Sequence, residues 1–188
     1  MKSEDELVEE VLSGDHRSFE LLLQPYRQGL LSMAYRMTGN LEEAKEVCQD
    51  ALIKVYRHLS RFKKGRSFKS WIYKITVNSA YDSMRKKKKY EDLLESQKKV
   101  GLSAGHDPEK QLLNTEIKAK IETCLQGLSP KEKATFLLRD GEGFSIQEAS
   151  EILKCSSISI RTHLSRARKK IREQFEKINF ADTKEVRR

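Results

Sequence analysis

Apolar residues recur along this chain at steps of three and four and nowhere alternate over a run long enough for a strand, which restricts the fold to packed amphipathic helices. Leu7, Val8, Val11 and Leu12 form a short first face, closed by Ser13, Gly14 and Asp15. Phe19, Leu22, Leu23, Tyr26, Leu30, Met33 and Ala34 continue as one longer helix that stops at Thr38 and Gly39. Asn40 is placed as an N-cap with Glu43 at the third helical position, as in a capping box, and Leu41 to Leu59 carry one apolar face for about five turns. After a polar loop at Lys63, Lys64, Gly65 and Arg66, a helix from about Ser67 to Met84 puts Phe68, Trp71, Ile72, Ile75 and Ser79 on one side.

The run Arg85 to Lys89 and the unperiodic, charged stretch up to Pro108 read as a linker. Periodicity resumes with Leu113, Ile117, Ile121, Cys124, Leu125 and Leu128. Two capping boxes follow, Ser129 with Glu132 ahead of a helix opened by Pro130, and Ser145 with Glu148 ahead of a shorter one. Asp140 to Gly143 break the first, a turn at Lys154, Cys155 and Ser156 ends the second, and a basic helix runs on to about Phe175 before a tail expected to fray. The chain therefore reads as all-α, with two small helical domains at 1–92 and 111–178, a flexible linker at 93–110 and a polar tail at 179–188.

Charge narrows the partner. With 37 Lys and Arg against 28 Asp and Glu the formal net charge is +9, which favours a polyanion. The short capped helix, tight turn and basic helix at the end form a helix-turn-helix pattern, whose second helix enters a major groove. Ile160, Leu164, Ala167 and Ile171 define its buried stripe. Thr162, Ser165, Arg166 and Lys169 lie opposite, with Ser159 and Arg161 on the flanks, all residue types that can bond base edges or phosphates. A solvated basic face would look similar, but the capping box and turn length favour the groove.

Upstream, Lys63, Lys64, Arg66, Phe68, Lys69, Trp71, Tyr73 and Lys74 combine cations with aromatic rings, which suits single-stranded bases. Trp71 reads as core, and Lys74, Asn78, Tyr81, Asp82 and Arg85 are left as an exposed polar face. Four scattered histidines, and no phosphate-binding loop, nucleophile elbow or zinc-protease motif, argue against an enzyme. Cys48, Cys124 and Cys155 have no metal or disulfide spacing and are expected to be reduced, with no cofactor. An acidic N-terminus and the absence of a long apolar stretch lead to the expectation of a cytoplasmic protein.

Taken together, these residues resemble a family. Gly39 to Ala44 with Val47-Cys48-Gln49-Asp50-Ala51-Leu52, Tyr56 and Phe62, then Phe68 to Ile75 with Asn78, Asp82 and Arg85, are similar to the second conserved domain of the extracytoplasmic-function group of bacterial RNA polymerase sigma factors. Leu128 to Glu132, Phe144 to Ala149 and Ile160 to Arg168 resemble that group's fourth domain. The sequence departs from the group's usual pattern at Lys154, where glycine is common, at Ile158, where a small residue is common, and at Lys45, where an acid is more usual.

The resemblance implies a transcription initiation factor. Glu46, Gln49 and Asp50 would dock on the coiled coil of the polymerase's largest subunit, and a further contact would be made with the polymerase flap. Lys63, Lys64, Arg66, Ser67, Lys74, Asn78, Asp82 and Arg85 would hold the opened minus ten element. Ser159, Arg161, Thr162, Ser165, Arg166 and Lys169 would read the minus thirty-five duplex. An anti-sigma factor is the expected regulatory partner, and no stable homo-oligomer is expected. The alternative is a helix-turn-helix regulator that binds promoters without being a polymerase subunit.

Overall fold

A computed structural model describes residues 2–97 and 115–185, and among these every regular element is helical. Ser3 caps α1 (Glu4–Leu12) in a reciprocal box with Glu6, and Asp15 caps α2 (His16–Leu23) by accepting the Arg17 N–H. The single long helix expected across residues 19–34 is two helices, because Pro25 offers no N–H and its ring collides with the carbonyl four residues back. The second of them, α3 (Arg27–Thr38), ends where Gly39 takes φ 76°, a conformation a side chain would strain. Asn40 then caps α4 (Leu41–His58) through the Glu43 N–H at 3.0 Å. The capping box expected there is only half made, since the Glu43 carboxylate pairs with Lys87 at 2.5 Å.

A short 3-10 turn (Leu59–Arg61) and the Lys63 to Ser67 loop lead into α5 (Phe68–Gln97), whose first turn Ser67 caps by accepting the Ser70 N–H at 3.1 Å. This helix runs well past Met84. Arg and Lys are good helix formers, so the basic run read as the start of a linker propagates α5 on its solvent side. Helices α3, α4 and α5 pack as a bundle with the α1–α2 pair across one end, burying Met33, Met37, Val47, Val55, Phe68 and Ile72.

The second half comprises α6 (Thr115–Gln126), α7 (Pro130–Phe136) continued by a π-helical turn (Leu137–Gly141), α8 (Ile146–Leu153) and α9 (Ser157–Glu185). Both expected capping boxes are present, at Ser129 with Glu132 and at Ser145 with Glu148. Leu137, Leu138, Phe144, Ile152, Ile160 and Ala167 form its core. The backbone of α9 stays helical to Glu185, beyond the Phe175 end and into the tail expected to fray. Of the expected linker at 93–110, residues 93–97 belong to α5, and the rest, 98–110, lies outside the described residues, as does Leu113.

The halves touch. Helix α8 packs on α5 and α7 on α3, so α5 is covered by α3 and α4 on one side and by α8 on the other. That explains why Tyr73, Val77 and Ala80 are buried along with the Phe68 and Ile72 stripe the periodicity placed inside.

Candidate polymerase and nucleic-acid interfaces

Helix α4 buries Ala44, Val47, Ala51 and Val55 and presents two different flanks. On one, Phe19, Leu30, Leu31, Leu52, Ile53 and Tyr56 line an apolar groove of about 630 Å³, rimmed by Arg27, Lys45, Arg57 and Gln49. On the other, Glu46, Asp50 and Lys54 face Ser79, Asp82 and Arg85 of α5 across a polar groove. Glu46, Gln49 and Asp50 are all exposed, as the sequence reading required. The three straddle the helix, with Gln49 on the apolar side and the two acids on the polar side.

Lys54 was not singled out by the sequence reading and organises the polar groove. Its ammonium donates to the Ser79 hydroxyl at 2.9 Å and stands 3.6 Å from Asp50 and 3.9 Å from Asp82. Asp82 is also 3.7 Å from Arg85. One cation therefore links an acid assigned to polymerase with an acid assigned to DNA. The only hint in the sequence was its place four residues after Asp50, where an oppositely charged helical neighbour belongs.

The α5 face has the expected register. Lys74, Asn78, Asp82 and Arg85 follow one another at helical spacing, Lys74 half-buried and the other three exposed. In the loop before it, Lys63, Arg66 and Ser67 are exposed, the turn closing through Gly65 at φ 74°. Lys64 is exposed too, but its ammonium pairs with Glu9 of α1. The aromatic part of this segment follows expectation at Trp71, read as core, and departs from it at Tyr73. Phe68 is buried, and Trp71 is half-buried with its ring 5.4 Å from Phe62 and 5.8 Å from Phe68, so both pack with the core. Tyr73, expected to help stack bases, is 1% exposed.

What covers Tyr73 comes from the other half. Its hydroxyl donates to Glu142 at 2.5 Å, and its ring meets Phe144 edge-on at 5.1 Å. Burial first and the Glu142 carboxylate second hold the phenol well above its ordinary pKa, so it stays a donor. Lys69 donates to the Glu142 carbonyl at 2.8 Å and lies 4.7 Å above the Phe144 ring, a cation–π contact. Tyr35 donates to Glu122 at 2.7 Å, and Tyr81, its phenol pushed up to about 12 by burial, donates to the Pro130 carbonyl at 3.3 Å. The segment expected to be open to single strands is thus partly roofed by α8 and the turn before it.

The helix-turn-helix is built as its sequence pattern specified. Lys154 ends α8 at φ 50°, ψ 48°, taking the left-handed conformation that glycine would take without strain. Ser156 then accepts the Ser159 N–H at 3.1 Å, capping α9. Ile160, Leu164 and Ala167 are buried with Ile171 half-buried, while Arg161, Thr162, Ser165, Arg166 and Lys169 are exposed and Ser159 is half-buried. Other cations of this helix serve the fold. Arg168 donates twice to Asp140, at 2.9 and 2.7 Å, and Lys170 pairs with the buried Glu132 at 2.7 Å. Those two anchors hold α9 against α7 and its π-helical turn, leaving Arg161 and Arg166 pointing outward.

Cys48 and Cys124 are thiols whose burial raises their pKa, Cys48 to about 11, which makes both poor nucleophiles. Cys155, half-buried, is a free thiol as well. Among the described residues no cluster of His, Cys, Asp and Glu could hold a metal ion, and no helix is long and apolar enough to cross a membrane.

Comparison with known proteins places both halves. Residues 22–90 match sigma-70 region 2 and residues 118–171 match sigma-70 region 4. The chain is 29% identical over 178 residues to the RNA polymerase sigma-H factor of Pseudomonas aeruginosa, covering 90% of this chain and 92% of that one. It is 29% identical over 176 residues to the ECF RNA polymerase sigma factor SigW of Bacillus subtilis, covering 89% and 94%. Its fold is similar to that of the sigma factor RpoE from Bartonella quintana, solved with the anti-sigma factor NepR, at TM-score 0.70 and 24% identity over 85% of this chain and 98% of that one. It is similar also to CnrH, solved with the cytosolic domain of CnrY, at TM-score 0.68 and 20% identity over 90% and 95%.

Proposed function

The chain belongs to the sigma-70 family of RNA polymerase sigma factors, in its extracytoplasmic-function group, and from that membership we propose how a transcription initiation factor of this sequence divides its work. Glu46, Gln49 and Asp50 on α4 engage the coiled coil of core polymerase, and the C-terminal half meets the flap. Lys63, Lys64, Arg66 and Ser67 with the Lys74, Asn78, Asp82 and Arg85 face of α5 hold the opened minus ten strand. Ser159, Arg161, Thr162, Ser165, Arg166 and Lys169 read the minus thirty-five duplex. The protein works in the cytoplasm, without catalysis of its own and without a cofactor.

The observation that carries this reading is the pairing, on one chain, of two differently built faces. That of α9 is a convex basic ridge suited to a groove, in which Arg166 can reach a guanine edge. That of α5 sets Asn78 and Asp82, groups that can bond the edges of unpaired bases, between the cations Lys74 and Arg85. Region 2 in residues 22–90 weighs against the simpler helix-turn-helix regulator, which needs no such half.

The two faces cannot serve both elements in the arrangement seen. Packed helices lie ~8–10 Å apart, so α9 stands within about 20 Å of α5 across the intervening α8. The elements are about 25 base pairs apart, roughly 85 Å at ~3.4 Å per base pair. The halves therefore part when promoter is bound, and the segment between them spans the polymerase. A regulator of the anti-sigma class is the fitting partner, since one structural neighbour, the sigma factor RpoE, was solved with the anti-sigma factor NepR. Gln49 rims the apolar groove, so a helix seated there competes with polymerase for the same side of α4.

The test is to mix the chain with core polymerase without DNA and then to read transcripts from genomic fragments. A stable complex on gel filtration and discrete start sites are expected. Promoter binding by the chain alone with no core complex would establish the regulator instead.

A further inference from the structure

Ile158 stands out on the groove face of α9. It is 74% exposed, more than any other large hydrophobic residue among those described, although it sits in the first turn of a well-capped helix. Single exposed apolar residues are ordinary, so its position is what matters. Ile158, Thr162, Ser165 and Lys169 repeat the spacing of Ile160, Leu164, Ala167 and Ile171 two residues earlier. Two residues are about 200° around an α-helix, which centres Ile158 on the side opposite the buried stripe. It is the sole apolar member of that polar row and stands at the end of the helix that enters a groove first.

Its surroundings also make it stiff. The Ser156 cap fixes the Ser159 N–H at 3.1 Å, and the Thr162 hydroxyl donates back to the Ile158 carbonyl at 3.0 Å. A β-branched side chain on helical backbone keeps essentially one χ1 rotamer, so little freedom is lost on contact. In the major groove the one apolar feature a base pair offers is the thymine 5-methyl group.

We propose that Ile158 reads the 5-methyl group of a thymine in the minus thirty-five duplex by apolar contact. This rests on the assignment of α9 to that duplex and adds a specificity determinant to it. Arg166 and the hydroxyls of Thr162 and Ser165 select by hydrogen bonding, and Ile158 adds shape at the leading end of the helix. Removing one buried methyl from such a contact lowers affinity by about three- to tenfold.

Uracil differs from thymine only in lacking that methyl, which gives a direct test. The full chain, bound to core polymerase, is used to select duplexes from a pool randomised across the minus thirty-five region. The enriched duplex is then remade with uracil at each thymine in turn. For the parent protein one such position is expected to lose about three- to tenfold in affinity. Ile158→Ala, at so exposed a site, keeps the fold and binds the thymine and uracil duplexes equally, whereas Arg166→Ala weakens both and keeps their ratio. The proposal is overturned if no thymine is enriched, if no uracil substitution matters, or if Ile158→Ala still discriminates. If no duplex is enriched over random DNA, the assignment of α9 falls as well, and that outcome is distinct from a selected duplex that ignores the methyl.

Discussion

Tyr73→Phe should loosen the contact between the two halves without disturbing either core. The substitution removes only the hydroxyl that donates to Glu142 at 2.5 Å, and the ring stays edge-on to Phe144 at 5.1 Å. A hydrogen bond to a charged group is worth ~1.5–3 kcal/mol. Glu142 is half-buried, so its carboxylate regains water when the hydroxyl goes, and the lower end of that range applies. About 1.5 kcal/mol is roughly a tenfold shift toward the parted arrangement. Lys69, still bonded to the Glu142 carbonyl and lying over Phe144, remains as a second tie between the halves. Ser70 lies at the same contact, 3.4 Å from Glu148 of α8, and a Ser70→Cys reporter becomes reachable when the halves part. Its rate of modification by a thiol reagent, followed by peptide mass spectrometry, should rise about tenfold on adding Tyr73→Phe. An unchanged rate in a protein of unchanged melting temperature would refute the view that this bond holds the halves together.

Three further outcomes follow from the same geometry. Gln49→Ala with Asp50→Ala, both exposed, should weaken core polymerase binding at least tenfold while shifting thermal stability by less than about 0.5 kcal/mol; titration with labelled core enzyme checks it. Lys154→Gly should raise stability by up to about 1 kcal/mol in urea unfolding, because the strain at φ 50° outweighs the extra freedom glycine has in the unfolded chain. For Glu132, burial pushes the carboxyl pKa up but Lys170 and Ser129 outweigh it, so the folded value lies below the ordinary one. Its contribution is present above the ordinary carboxylate range and is lost as pH falls through the lowered value. Glu132→Gln should therefore cost about 1–3 kcal/mol near neutrality and much less in strong acid, as paired unfolding curves would show.

Much of the helix-turn-helix was legible because its signals are local. The Ser145 box, the turn at Lys154 and the Ile160 to Ile171 stripe each lie within a few residues of what they specify, and each is found in place. Local reasoning erred where one local effect outweighed another. Pro25 divides a stretch whose apolar spacing is continuous, and the run Arg85 to Lys89, polar enough to suggest a linker, consists of strong helix formers. The remainder depended on partners distant in sequence. Tyr73 looks like an exposed stacking residue until Glu142 and Phe144 arrive from the other half. Likewise, only the packed structure separates Arg168 and Lys170, tied to Asp140 and Glu132, from Arg161 and Arg166, which face outward in the same basic run.

The division of labour between the halves is tested most directly by permanganate footprinting of promoter complexes alongside duplex affinity, with Arg166→Ala and Asn78→Ala compared against the parent. Arg166→Ala should lose about 1–3 kcal/mol of affinity for the minus thirty-five duplex yet still open any promoter it occupies. Asn78→Ala should form the closed complex normally and leave thymines of the minus ten region less reactive. Intact duplex affinity in the first variant, or undiminished thymine reactivity in the second, would contradict the assignment of α9 to the duplex or of α5 to the melted strand.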